Sequence, residues 1–357
     1  MRILVFTANE FMNHKTYREM SEFWRKWGHE VEQYNMADHP NEDYLFKIRH
    51  YQMYEGFLNY AEKAEPDMVW FDNLLTVPEY LLSELEVRPN FKPKIEFMFS
   101  YRESYKSLAR AKTLAKLIND PRTRFAILES FIGKEMVPPL NFLHVGANRD
   151  KIKVVYDRVN EEPHELKRGK TESRIRYGLP LDKFIVLYFG RMTHSKGIDL
   201  LVRAFDKLGP EYFLFVKSNP VYLDFDFDID KELKGKPNIK FFEELTPQSE
   251  LGYIYSACDI SAIPYRWTYT YGSSGIPMQA AMAHRPIVCP SFYPFNYFIE
   301  KFNLGYTCEL ENVDSLVKAI ENMKKDYDTV VANAKFDEYV KCTTTMEQMA
   351  RAIVEDI

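Results

Sequence analysis

The sequence predicts an α/β protein of two doubly wound parallel sheets, and three features predict it. Short apolar runs alternate with segments of helical period along nearly the whole chain, the pattern of parallel strands covered by crossover helices. At 357 residues the chain has room for two hydrophobic cores. Between two such alternating series lies Asp157–Lys170, polar and without period, which reads as an interdomain linker. The first domain is therefore expected over residues 1–160 and the second over 161–326. A helical segment, 327–357, is long enough to cross back onto the first.

In the first series Ile3–Thr7 is a buried strand, and Asn13–Trp27 a helix stopped by Gly28. Val31–Tyr34 is the next strand, and a helical region from about Glu42 to Ala64 ends at Pro66. Met68–Phe71 is a strand, Val77–Val87 a helix and Lys94–Phe99 a strand. Glu103–Ile118 is helical, Phe125–Leu128 a short strand, Gly133–His144 a helix and Ile152–Tyr156 a strand.

The second series opens on Phe184–Phe205, FIVLYFGRMTHSKGIDLLVRAF. A run of apolar and aromatic residues ends at Gly190, a polar loop follows, and Ile198, Leu201, Val202 and Phe205 recur at helical spacing. Strands follow at Phe213–Val216, Ile239–Phe242, Asp259–Ile263, Pro286–Cys289 and Gly305–Cys308. Helices are expected over Leu251–Cys258, Ile276–Ala283, Val313–Lys325 and Tyr327–Ile357.

Composition narrows the function classes. Acidic residues outnumber basic ones, for a net charge of -5, which argues against nucleic acid as the obligate partner. Tyr and Phe are unusually many and point to aromatic cores or aromatic-lined clefts. The cysteines (Cys258, Cys289, Cys308, Cys342) lack paired spacing and read as reduced thiols of a cytosolic protein. The first residues do not read as a signal peptide, and no apolar stretch approaches the length of a membrane span. A cytoplasmic location is expected, with peripheral contact on the inner face of a membrane through residues 101–124 as the variant of it.

Chemistry is expected on two loops. Arg191 and Lys196 follow a strand whose carboxyl end lies on the ligand-binding edge of such a sheet, and paired cations there suit a phosphate or diphosphate. The loop after Ile263 carries Arg266, Tyr269, Tyr271, Gly272, Ser273, Ser274 and Gly275, and a helix opens there with Pro277 in its first turn. Small residues at a helix N-terminus offer backbone N–H groups and hydroxyls to an anion, although the same residues also make ordinary caps.

These segments resemble family 4 retaining glycosyltransferases, which have the GT-B fold. GRMTHSKGIDLLVRAF resembles the family's Gly-Arg…Lys-Gly motif, IKFFEELTPQSELGYIYSACDISAI its strand–helix–strand, and QAAMAHRPIV its Glu-Ala-x-Ala-x-Gly-x-Pro-Val segment. KIKVVYDRV resembles the strand and loop that end the first domain, so the likeness covers roughly Ile152–Ile320. The resemblance implies two Rossmann-like domains facing across a cleft, with a nucleotide sugar such as a UDP- or GDP-sugar on the second and an acceptor on the first. Arg191 and Lys196 would be the catalytic cations that stabilise the leaving diphosphate. Gly190, Lys217, Tyr271, Gly272, Ser273, Ser274, Gly275 and Gln279 would line the donor site. No metal or cofactor is implied, and the acceptor would be a glycan, a lipid-linked sugar or a small molecule.

The departures from the family pattern bear on the sugar. Tyr271 and Gln279 stand where the family has two glutamates, and His284 where it has a glycine. Ala8–Met12 replaces a Gly-rich acceptor loop, and Ser100-Tyr101-Arg102 a histidine. Asp72, Asn73, Ser100 and Arg102, at strand ends, are the acceptor-side candidates. Residues 101–124 hold seven cations against two carboxylates around an apolar stripe of Leu108, Ala111, Ala115 and Ile118. That segment is either a membrane-facing amphipathic helix or a sheet-packed helix with a solvated basic face. Alternatives to transfer are a nucleotide-sugar epimerase or phosphorylase on the same fold, and a non-catalytic nucleotide-binding relative.

Overall fold

Residues 1–7, 14–35, 46–71, 78–100, 107–130, 141–156, 166–218, 224–269 and 274–355 are described by the computed structural model. The chain divides into two units, Met1–Asn160 with Thr343–Ile357, and Glu161–Cys342.

The first unit is built on six parallel strands: β1 (Arg2–Thr7), β2 (Glu30–Asn35), β3 (Met68–Phe71), β4 (Lys94–Ser100), β5 (Thr123–Ser130) and β6 (Ile152–Tyr156). Their order is β2-β1-β3-β4-β5-β6. Helices cover both faces, which is why the inner strands β1, β3 and β4 are largely apolar, whereas the edge strand β2 is mostly polar. One face sends Ile3, Val5, Met68, Trp70, Met98 and Ile127 against Met20, Trp24, Met349 and Ile353. On the other, Phe6 and Phe71 pack on Phe57 of the helix Phe46–Ala64, at centroid distances of 4.9 and 5.2 Å. Here the aromatic wealth of the sequence is core, each buried ring stabilising the fold by roughly 1.5–3 kcal/mol.

The helix expected over Tyr327–Ile357 is three helices: Tyr327–Asn333, Phe336–Val340 and Met346–Val354. Local packing breaks it. Tyr339 sits 4.9 and 5.3 Å from the rings of Phe298 and Phe302 in the second unit, and Thr345 opens a new helix with a capping box to Gln348. Only the part from Thr343 onward belongs to the first unit. Its last carbonyls are met by cations, Lys153 Nζ donating to Ala352 O and Glu355 O (2.8 and 2.6 Å) and Arg124 Nη2 to Ile353 O (2.8 Å).

The helix Leu108–Asn119 starts at Ser107, whose hydroxyl accepts from Arg110 N. Ala111, Ala115 and Ile118 are buried and Leu108 is exposed, so most of the apolar stripe faces the core and is not free for a bilayer. Arg110 pairs with Glu79, Arg122 with Asp120 and Arg124 with Glu96. Residues 101–106, and 131–140 of the next expected helix, lie outside the described residues.

The second unit carries β7 (Phe184–Phe189), β8 (Tyr212–Ser218), β9 (Ile239–Glu243), β10 (Ile260–Ala262), β11 (Ile287–Pro290) and β12 (Gly305–Cys308), all parallel, in the order β12-β11-β10-β7-β8-β9. The order reverses at β7, which lies between β8 and β10, so the carboxyl ends of β7 and β10 flank the topological switch point where such sheets bind ligands. At the opposite edge buried Asp259 joins the same two strands. Its Oδ2 accepts from Ile185 N (2.6 Å) and Arg174 Nη2 (2.8 Å), and Lys170 pairs with Oδ1. Lys170 and Arg174 belong to the helix Lys170–Arg176, which begins where the expected linker ends.

A helix that the sequence reading lacked, Phe295–Phe302, follows β11. Its signal was legible in the apolar residues Phe295, Phe298, Ile299 and Phe302, with Asn303 at φ 53 closing it. Among the described residues no helix is long and apolar enough to cross a membrane.

Candidate functional site

β7 delivers the first loop. Its buried residues hold Phe184–Tyr188 fast, and Gly190 then turns at φ 116, its N–H bonded to Lys217 O (3.0 Å). Arg191 is exposed, while Met192 beside it is fully buried and pins the loop to the core. The buried Tyr188 donates its hydroxyl to Arg191 O (2.9 Å). His194–Lys196 make one 3-10 turn, and Gly197 at φ 67 starts the helix Ile198–Phe205.

That turn brings Lys196 back over Gly190, where an added Cβ would stand 3.4 Å from Lys196 Nζ and 3.9 Å from Ile276 Cδ1. Gly190, Lys196 and the start of the helix Gly275–Met282 are therefore neighbours, although about 80 positions separate the two loops. The ammonium lies over the rings of Tyr265 (5.3 Å) and Tyr269 (5.7 Å). Burial lowers the Lys196 pKa and the Arg191 charge lowers it further, with Tyr269 opposing them. Among the described residues no hydrogen-bond acceptor or carboxylate partners the side chain of Arg191 or of Lys196. Two close cations, one largely enclosed, describe a place for an anion.

The other expected residues are placed as follows. Lys217 is buried, and its ammonium is held by Glu244 Oε1 at 2.5 Å. Ser274 caps the helix Gly275–Met282, accepting from Ile276 N (3.4 Å) and sharing a hydrogen bond with Tyr265 Oη (3.0 Å), so its hydroxyl is engaged within the fold. Gly275 is exposed, and an added Cβ would meet nothing within 4 Å. Gln279 accepts at Oε1 from the Tyr255 hydroxyl (2.9 Å). Tyr271, Gly272 and Ser273 lie outside the described residues, as do Asp72, Asn73 and Arg102, and Ser100 is described only as the last residue of β4.

His284 takes φ 54, the left-handed conformation that a glycine adopts at little cost. Its N–H bonds to Ala281 O (2.9 Å) and that of Arg285 to Ala280 O (2.8 Å), a closing turn for the helix. The imidazole stacks on Phe336 at 5.1 Å and meets Asp337 Oδ1 at 3.0 Å, contacts that a glycine would lack.

The sequence places Arg266 on the second loop without a role, and nothing in it singles out Asp199. Arg266 lies beyond β10 and is almost wholly buried. Its Nη1 donates to His194 O (2.6 Å) and Asp199 Oδ1 (3.0 Å), its Nη2 to Asp199 Oδ2 (2.8 Å) and its Nε to Glu311 Oε2 (3.3 Å). The Arg266 N–H bonds to Ser195 O at 2.8 Å. Burial alone would raise the Asp199 carboxyl, but the hydrogen bonds and charge of Arg266 hold it below the usual carboxylate range. The pair is 67 positions apart, and no local pattern announces it.

Comparison with known proteins places this site within a familiar domain. Residues 169–341 match the family described as glycosyl transferases group 1. An uncharacterised glycosyltransferase of Methanocaldococcus jannaschii is 26% identical over 201 residues, 54% of this chain and 50% of that protein. The chain spans about half the length of the curated relatives it matches. Sucrose-phosphate synthase of Thermosynechococcus elongatus shares the fold with a TM-score of 0.69 at 14% identity, over 99% of this chain and 97% of that one. Anabaena HepE, solved in complex with UDP and glucose, gives 0.68 at 14% identity, over 99% and 98% of the two chains. Residues 169–341 thus match the family described as glycosyl transferases group 1, in a chain whose two α/β units have the GT-B fold.

Proposed function

We propose that this protein is a glycosyltransferase that moves a sugar from a nucleotide diphosphate donor, in the manner of family 4 enzymes and with retention at the anomeric carbon. One observation carries the reading. Lys196 holds a largely enclosed ammonium beside Gly190 and the start of the helix Gly275–Met282, with Arg191 on the same loop at the sheet's switch point. The family match over 169–341 and the UDP and glucose in the Anabaena HepE complex support a nucleotide sugar as the ligand.

The chemistry follows from charge. As the anomeric C–O bond breaks, its electron pair stays on the diphosphate oxygen, and fixed cations stabilise that growing charge more than they stabilise the intact donor. The acceptor hydroxyl attacks from the face that the diphosphate leaves, its proton passing to the departing phosphate oxygen. No protein nucleophile takes part. The acceptor belongs to the glycan, lipid-linked or small-molecule hydroxyl classes.

The test is transfer from UDP- and GDP-sugars to a panel of such acceptors, with the anomeric configuration of the product read by NMR. Arg191→Ala and Lys196→Ala should each lower kcat/KM by about a hundredfold, the cost of one positioned transition-state contact. Full activity in both variants, or an epimerised sugar in place of a transferred one, would refute the reading.

A further inference from the structure

We infer that Arg266 is a positioning residue for the Arg191–Lys196 loop, fixing through Asp199 and two backbone carbonyls where the Lys196 ammonium stands. The inference rests on the donor-site reading above and adds to it a residue that meets the diphosphate only through others. Arg266 is 5% exposed, and its guanidinium is taken up by His194 O, Asp199 and Glu311. With the Arg266 N–H on Ser195 O, one residue of the second loop holds two of the three residues of the turn His194–Lys196.

Asp199 completes the clamp from the first turn of the helix Ile198–Phe205, where Arg203 also holds it at 2.9 Å. Lys196 therefore hangs between two fixed points, the carbonyls held by Arg266 and the close approach of Gly197 to Pro264. A lysine tip on four methylenes is otherwise free to wander, and a displacement of about 1 Å in a positioned group is enough to cost binding and rate. Arg266 makes four donations from three nitrogens set in a plane, against three N–H groups on the single nitrogen of a lysine, so lysine is a poor replacement for it.

The experiment is a double-mutant cycle on binding, read by calorimetry with UDP and GDP. Arg266→Lys should weaken diphosphate binding about tenfold in the parent chain, the size of one charge-assisted hydrogen bond. In a Lys196→Met background it should weaken binding less than about twofold, because groups that act as a unit are not additive. Asp199→Asn keeps the arginine and should follow the same pattern, and it carries the test if Arg266→Lys does not fold. Equal losses in both backgrounds would make the role a general structural one and overturn the inference, as would unchanged binding. A parent chain that binds neither UDP nor GDP would overturn the donor-site reading itself.

Discussion

Gly197 lies so close to Pro264 that a Cβ added to it would stand 2.0 Å from the Pro264 carbonyl oxygen. No side chain fits there, and φ 67 is itself unfavourable for any residue with a Cβ. The contact joins the loop that carries Lys196 to the segment that leaves β10. Gly197→Ala should destabilise the fold by about 2–5 kcal/mol, from left-handed strain plus displacement of one loop. Urea unfolding checks this, and Gly178→Ala, at φ 59 but with nothing within 4 Å of its Cβ, should cost only about 1 kcal/mol.

Burial depresses the Lys196 pKa in the folded chain, while the unfolded chain titrates near 10.4. Between those values the unfolded state binds more protons, so this residue's contribution to stability rises with pH there, and the cost of enclosing its charge is full below that window. Lys196→Met should therefore melt higher than the parent at pH 7, with a margin that shrinks as the pH climbs toward about 10.4. A constant margin across that range would count against the buried charge.

His284 combines left-handed backbone with a useful side chain. His284→Gly should change stability by less than about 1 kcal/mol, since relief of strain offsets the lost ring contact. His284→Val should cost about 1–3 kcal/mol more, because a β-branched side chain tolerates that conformation poorly. Chemical denaturation of the two variants separates the effects.

Lys153 is buried under the end of the helix Met346–Val354, over the ring of Phe125 at 3.9 Å. Lys153→Met leaves two carbonyls short of a donor and should cost about 1–3 kcal/mol. Hydrogen exchange should show the loss first in amides of the last helical turn, because the ammonium's hydrogen bonds to Ala352 O and Glu355 O are lost there.

Much of the fold was legible in the chain, for reasons that the strands make plain. Strands covered on both faces are apolar throughout, so each appears as a short run whatever its partner. Phe184–Phe189 and Ile198–Phe205 stand where the apolar spacing put them. The helix Phe295–Phe302 was missed among aromatic residues, and the helix expected over Tyr327–Ile357 was too long because its breaks come from packing on Phe298 and Phe302.

By itself the sequence determined which residues carry charge at the end of β7, since Gly190, Arg191, Lys196 and Gly197 all fall within eight consecutive positions. Local sterics and period suffice for that. Only the tertiary structure decided what holds them in place. Strand order puts β10 beside β7, and this adjacency brings Arg266 to Asp199, Pro264 to Gly197 and the helix Gly275–Met282 to Gly190. Such contacts depend on how strands pair across the sheet, and a pairing over 67 positions leaves no mark in the residues around either end.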